Sequence, residues 1–498
     1  MKPKKSHPKN QSSSGETFTA FLFHKAQRTD WLIIAGICLA AYIILKICYP
    51  YPAAVYGDSA AYVKHAMEDR FTHLRPFGYS YFLQRVYAVS ASIHAVVIVQ
   101  LLLYCISTAS LAFTIKYFFP PVRKVVWYVL LVFLVFSPSA FFLANSFMSD
   151  VLFSALVYCM LAAFIFIVKK KSWIAAIAFC LSLFFSLHVR YSAMIFPFIF
   201  IPLLLMFRKK VCRATVILVS LLLVVFYNQI KSNMKEVSGL NQFSTGFDGC
   251  QLANNAMHIL PYIKLPPQSI KDPQMRDLHE FSMRYVDEIA KRTNDGRNVT
   301  AGFLWEEQLP LKKYLLIAHK QLDQPYGLLF IQFGSTLFKK YGQYLILHYP
   351  LEFMRYYYLP NMVDMFYVRH IGLIKKYTPI EAEEIVQWYH LENKDVSCRY
   401  DPYGNFLAKS ISPSGVLVWI IIAGVSVYAI INRKRITFGR EEKVVFWGLF
   451  TFGSLFYAST IFASPIELRY WLPMKAIQFS YMYILLNKLM AYKLNKLS

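Results

Sequence analysis

Long, nearly uninterrupted apolar runs dominate the chain. Seven fill its first half, near residues 31–49, 94–118, 125–143, 150–168, 173–189, 192–207 and 212–230; three more follow near 415–431, 444–462 and 471–488. About 20 apolar residues in helical geometry cover the ~30 Å hydrocarbon core of a bilayer, so each run predicts a membrane-spanning helix. Several are only 16–18 residues long and span with little margin. The expected fold class is an all-α polytopic membrane protein with about ten transmembrane helices. Tyr/Leu/Phe-rich patches at 326–338 and 341–368 could raise the count to twelve or thirteen. Lys339, Lys340, Glu352 and Arg355 interrupt them, so helices lying at the membrane surface are the better expectation, where aromatic rings settle favourably.

The polar intervals between the runs set the domain plan. A basic tail (1–30) precedes an N-terminal membrane module (31–230) whose first outer loop covers 51–93. A mixed, mostly helical extracytoplasmic domain (231–413) follows, then a C-terminal membrane module (414–498). The tail is polar and expected to be disordered. No cleavable signal is expected, so the first span serves as an uncleaved anchor. No internal repeat is visible, which argues against a transporter of paired halves.

Composition agrees. Of 498 residues 56% are hydrophobic and 17% aromatic, and only 16% are charged, against about a quarter in soluble domains. The net charge of +25 would suit nucleic acid, but segment 231–413 holds 21 Lys+Arg against 19 Asp+Glu. The excess therefore lies in short clusters between apolar runs: the tail, Arg123-Lys124, 169–171, 208–210, 432–435 and the C-terminus. With ten spans all of these fall on one side, as the positive-inside rule requires. Both termini are expected in the cytoplasm, and no nucleic-acid partner is expected. Six cysteines (Cys38, Cys48, Cys105, Cys159, Cys180, Cys212) lie in or beside spans as small hydrophobes. Cys250 and Cys398 alone belong to the outer domain and form a candidate disulfide, although sequence does not show that they are near each other.

Acids are scarce enough to be informative. Between Asp69 and Glu236 the only one is Asp150, in SFMSDVLF at the outer start of the fourth span; Asp58, in YGDSAAYVKHA, lies just past the outer end of the first. Either could cap a helix, since Asp and Ser accept hydrogen bonds from free backbone N–H groups. Two acids at one membrane face point instead to function. Arg75 in HLRPFGYSYFL, Arg190 in SLHVRYSAM and Arg469 in SPIELRYWLP share that face, with Lys64, His65 and His73 in the first loop. Snorkelling to lipid headgroups is the plainer explanation for Arg190 and Arg469. The alternative is bidentate recognition of a phosphate.

In their order and common side, GDSAAYV, RPFGYSYFL, FMSDVLF, HVRYSAMIFP and IELRYWLP resemble the GT-C superfamily of polyprenyl-phosphate-sugar glycosyltransferases. The likeness is to its protein O-mannosyltransferase and lipid A aminoarabinose transferase type members. It covers residues 30–230 best, the last spans in part, and the outer domain not at all. It implies a GT-C-like fold and transfer of a sugar from a polyprenyl-phosphate donor to a lipid, glycan or protein acceptor, with inversion, at the outer face of a bacterial inner membrane. By this likeness Asp58 is the catalytic base or acceptor-orienting group, and Asp150 assists acceptor positioning or ligates a divalent metal. Tyr62, Lys64, His65, His73, Arg75, Arg190, Glu467 and Arg469 are the candidate substrate- and phosphate-binding residues. Some relatives hold a divalent metal with an adjacent acid pair; this chain has one acid there, so no cofactor is required by this reading. Alternatives are a flippase for lipids or lipid-linked glycans, a polysaccharide polymerase or ligase, and a non-enzymatic scaffold. Transporters place ionisable groups near the midplane, whereas these spans carry almost none. Asn298–Thr300 matches a glycosylation sequon that arises often by chance; no His cluster has metal-ligand spacing and no Gly-rich phosphate loop is present.

Overall fold

A computed structural model describes residues 17–49, 51–53, 56–69, 75–367, 383–392 and 401–497. Among them the regular structure is helical, and the sole β-type contact is an isolated bridge between Ala53 and Ser146. All ten apolar runs are helical. They are α1 (Arg28–Cys48), α4 (Ile93–Phe118), α5–α6 (Lys124–Val135 and Pro138–Ala144), α7 (Asp150–Lys170), α8 (Trp173–Val189), α9 (Phe196–Leu205), α10 (Lys210–Ser238), α14 (Asp401–Ile431), α15 (Arg440–Ala463) and α16 (Leu472–Leu497). Among the described residues, six stretches are long and apolar enough to cross a membrane: Lys25–Cys48, Ile93–Phe118, Lys124–Ala144, Asp150–Lys170, Lys210–Ser238 and Arg440–Ala463. Trp173–Val189, Tyr191–Leu205 and Gly415–Ile431 are shorter apolar helices. This is the architecture of a helical membrane protein. The third run breaks where Ser137 and Pro138 interrupt the hydrogen-bond ladder between α5 and α6.

Helix α7 is the hub of the bundle. Val157, Tyr158, Met160, Leu161, Phe164 and Ile165 are all fully buried, so both ends of α7 are fixed by packing on every side. One end carries Lys169–Lys171 and faces the basic clusters. There Asp30 is buried, ion-paired with Lys116 and hydrogen-bonded by the Trp127 indole at 3.1 Å. Lys171 pairs with Glu441, and Lys488 with Glu442 at 2.7 Å. The other end carries Asp150.

The first long loop is itself helical, as α2 (Tyr56–Glu68) and α3 (Gly78–Val89). Gly78 opens α3 against the end of α8. A Cβ there would collide with the His188 carbonyl oxygen, so only glycine permits this approach. Helix α13 (Glu383–Tyr389) covers α2 and α3: Ile385 and Tyr389 share a core with Tyr62, Tyr79 and Leu83, and Trp388 stacks on Tyr87 at 4.8 Å.

Segment 231–413 builds a core of its own around α11 (Phe247–Ala256) with Leu260, Phe303, Leu311, Leu315, Phe338 and Tyr341. The aromatic patches at 326–338 and 341–368 are helical through Phe366 with a break at Tyr349, and they bury Leu329, Phe330, Tyr341, Leu345 and Tyr357 in that core. None of them is among the helices long and apolar enough to cross a membrane. Cys250 is buried there with its thiol toward the Phe330 carbonyl. Its candidate partner Cys398 lies outside the described residues, as do His73 and residues 1–16 of the tail.

Candidate functional site

Neither of the two scarce acids caps a helix through its side chain. Asp58 lies in the first turn of α2, and both its oxygens go elsewhere: Oδ1 accepts from Arg75, and Oδ2 accepts from Arg469 Nη1 at 2.8 Å. Asp150 is the first residue of α7, and one of its oxygens pairs with Arg190. Its other oxygen, Oδ2, is buried without a hydrogen-bond partner among the described residues. Ser149, at the cap position, instead places its hydroxyl 3.1 Å from that of Tyr62. Arg190 and Arg469 likewise do not snorkel outward. Both turn inward onto carboxylates, with side chains 20% and 16% exposed.

The pairs form one cluster. Arg469 also contacts Glu467 at 2.7 Å. Two guanidiniums lie over the Tyr470 ring, that of Arg190 at 5.4 Å and that of Arg469 at 5.5 Å from its centre. The Tyr62 ring lies 5.5 Å from Arg75 while its hydroxyl reaches the Ser149 turn. Three carboxylates (Asp58, Asp150, Glu467) therefore meet three guanidiniums (Arg75, Arg190, Arg469), drawn from chain segments up to 411 residues apart. Burial alone would raise the Asp58 carboxyl, but Arg469 and Arg75 outweigh it and hold Asp58 below the usual 3.8. Burial works against the charge on Arg469 too, and Glu467, Tyr470, Asp58 and Asp150 together keep it firmly protonated. Burial raises the Tyr62 phenol, which keeps its proton. Three acidic and three basic side chains balance in formal charge.

Local structure explains why these side chains meet. The strand-like contact between Ala53 and Ser146 (Ala53 N–H to Asn145 O, 2.8 Å; Phe147 N–H to Ala53 O, 3.2 Å) joins the first loop to the turn before Asp150. Ser59 adds a bond to the Phe147 carbonyl at 3.0 Å. Sequence reasoning missed Gln100, a lone amide in the apolar α4. Its Nε2 donates to the Ala144 and Ser146 carbonyls at 2.8 and 3.0 Å, and its Oε1 accepts from the Tyr79 hydroxyl at 3.1 Å. A buried glutamine inside a span needs partners, and that scarcity was the signal available. Gln100 thereby ties α3 to the Asp150 turn. Gly78 brings the start of α3, three residues past Arg75, against the α8 end that carries Arg190.

One sequence candidate, Lys64, stands apart from these contacts. Lys64 is exposed and pairs with Glu68 at 4.0 Å along α2, a surface contact of little energetic weight. His65 is half-buried on the same helix and makes an interaction of its own. No group of three or more His, Cys, Asp or Glu side chains that could hold a metal ion occurs among the described residues. Comparison with known proteins finds no matching family model, no matching curated protein and no matching solved structure.

Proposed function

We propose that the chain is an integral membrane glycosyltransferase that moves a sugar from a polyprenyl-phosphate donor to a hydroxyl or amine acceptor at the end of the bundle carrying the acid–arginine cluster. One observation carries the reading: three guanidiniums and three carboxylates converge at the mouth of a hydrophobic bundle, where the head of a membrane-tethered anion would lie. Guanidiniums suit the phosphate group, and carboxylates suit the proton of the acceptor.

The self-paired cluster gives the reaction an order. At rest Asp58 occupies Arg75 and Arg469, so it is a weak base and the two arginines are not free for phosphate. A donor phosphodiester, a monoanion, competes for the same guanidiniums. As they turn to the phosphate, Asp58 loses the charges that depress its pKa and becomes a better proton acceptor. The acceptor oxygen or nitrogen then attacks the anomeric carbon, the bond from that carbon to the phosphate oxygen breaks, and the acceptor proton passes to Asp58. The departing lipid phosphate gains one negative charge while Asp58 loses one. The arginines released from Asp58 are then available to the phosphate as its charge develops. Asp150 holds Arg190 through one oxygen and offers its unpartnered Oδ2 to the acceptor. A single displacement of this kind inverts the anomeric centre. The reading is tested by following transfer of labelled sugar from polyprenyl-phosphate donors in proteoliposomes. Turnover that disappears in Arg75→Ala and Arg469→Ala supports it, and turnover that survives both refutes it. Lipid translocation without sugar transfer would favour a flippase.

A further inference from the structure

Helix α15 ends without the usual devices. Its C-cap, Ser464, is extended (φ −156°, ψ 150°) and followed by Pro465, and no glycine is present to fold the chain back over the last turn. The carbonyls of the final turn therefore lack backbone partners, and burying them unpaired would be destabilising. Two asparagines from segment 231–413 meet this need. Asn361, on α12 (Leu359–Phe366), donates from Nδ2 to the Ile461 and Ser464 carbonyls at 2.7 and 2.8 Å. Its Oδ1 accepts from the Ile466 N–H at 2.8 Å. Asn255, on α11, donates to the Phe462 and Ala463 carbonyls at 2.9 and 3.1 Å. Both side chains are buried, and the Asn255 amide is itself oriented by Gln251 at 2.9 Å.

The segment held this way is the one that presents the cluster. Ile466 is buried at 2% exposure; Glu467 follows, and the single turn Leu468–Trp471 carries Arg469 to Asp58. The two asparagines bind the helix end on one side of this segment and the first N–H of the segment on the other. They touch neither Arg469 nor Asp58 in any contact the structure shows, so they act through the backbone.

We propose that Asn255 and Asn361 are positioning residues: through their amides, segment 231–413 fixes the backbone of Ser464–Arg469 and so sets Arg469 in register with Asp58 to receive the donor's phosphate. The part concerning phosphate rests on the function proposed above; the part concerning the backbone does not.

Two measurements on full-length protein in nanodiscs separate these parts. The first is backbone hydrogen exchange over 464–471. The second is affinity for undecaprenyl phosphate in four proteins: wild type, Asn361→Ala, Arg469→Ala and the double variant. Asn361→Ala is expected to speed exchange at Ile466 and to weaken lipid-phosphate binding about tenfold, with no further loss when Arg469 is already alanine, because residues acting through one group are not additive. Unchanged exchange at Ile466 overturns the proposal. So does an equal loss of affinity in both backgrounds, which would mark a general structural defect. If Asn361→Ala does not fold, Asn255→Ala, which strips the Ala463 carbonyl of its partner and leaves the Phe462 carbonyl only the Tyr357 hydroxyl at 3.4 Å, must show the same pattern in smaller degree; wild-type exchange and binding in that variant also overturn the proposal. If wild type binds no lipid phosphate, the donor reading and the phosphate part fall together, and exchange alone decides the backbone part.

Discussion

Replacing Asp58 with asparagine separates the two things Asp58 is proposed to do. The amide is nearly isosteric, and its Oδ1 can still accept from one guanidinium. It cannot accept from the second on its other branch, and it carries no charge. With the three side chains only 23%, 21% and 16% exposed, a charge-assisted bond in this cluster is worth about 2 kcal/mol, the lower part of the range for hydrogen bonds to charged groups. The folded state loses roughly that much, well short of unfolding a chain with this much buried core. Turnover should fall about 100- to 10,000-fold, the usual contribution of a general base. Affinity for the released lipid phosphate should move the other way. The neutral amide resembles Asp58 after it has taken the proton, so one guanidinium no longer has a carboxylate competing with phosphate. A gain of about tenfold, or 1.4 kcal/mol, is expected. The assay pairs transfer rates in proteoliposomes with equilibrium binding of undecaprenyl phosphate to wild type and Asp58→Asn. Weaker product binding in the variant would refute the exchange of partners between Asp58 and phosphate. Undiminished turnover would refute the base assignment itself.

Other consequences follow from the same contacts. The low pKa of Asp58 in the free protein should rise once the arginines turn to donor phosphate, so the acidic limb of kcat should lie at higher pH than that of kcat/KM. Coincident limbs would contradict the partner exchange. For stability the sign is that of a depressed carboxylate: the contribution of Asp58 is present above its unfolded pKa and is lost as pH falls through the lower folded value. His258 acts through a different asymmetry. Burial lowers it from 6.5 to about 4, with Nδ1 donating to the Asn254 and Asn255 carbonyls and Nε2 accepting from the Thr300 N–H at 3.0 Å. The unfolded chain binds the proton first, so the segment around α11 should lose about 3 kcal/mol of stability between pH 6.5 and 4. That slope, read from thermal or denaturant unfolding, should flatten in His258→Gln. Gln100→Leu strips the Ala144 and Ser146 carbonyls and the Tyr79 hydroxyl of their partner. It should cost about 1–3 kcal/mol and lower turnover by shifting the turn before Asp150; unchanged turnover would show that Gln100 does not position the acid.

The helices were legible because each is an apolar block, and block length is read directly from sequence. The cluster was legible in part for the opposite reason: Asp58, Asp150, Arg75, Arg190, Glu467 and Arg469 are charges where charges are scarce. Which charge meets which was not legible, since the Asp58–Arg469 contact spans 411 positions. A helix after Asp58 was legible as a capping possibility, but the packing of α2 and α3 was not, because they are short and only weakly apolar and owe their burial to α13 and to the end of α8. Lys64 and His65 looked equivalent to Tyr62 in sequence. On a helix they occupy different faces, and it is Tyr62 that turns toward Ser149 and Arg75. Asn255 and Asn361 gave no signal at all. An asparagine in a polar segment is ordinary until a distant helix end is found bare beside it.

The most direct test of the central claim is single-turnover transfer from a panel of radiolabelled polyprenyl-phosphate sugars by the purified protein in proteoliposomes, with Arg469→Ala as the matched control. Label leaving at least one donor, with inverted configuration in the product and loss of turnover in the folded control, is the predicted result. A folded wild type that releases no sugar from any donor, or a control that transfers as fast as wild type, would contradict it.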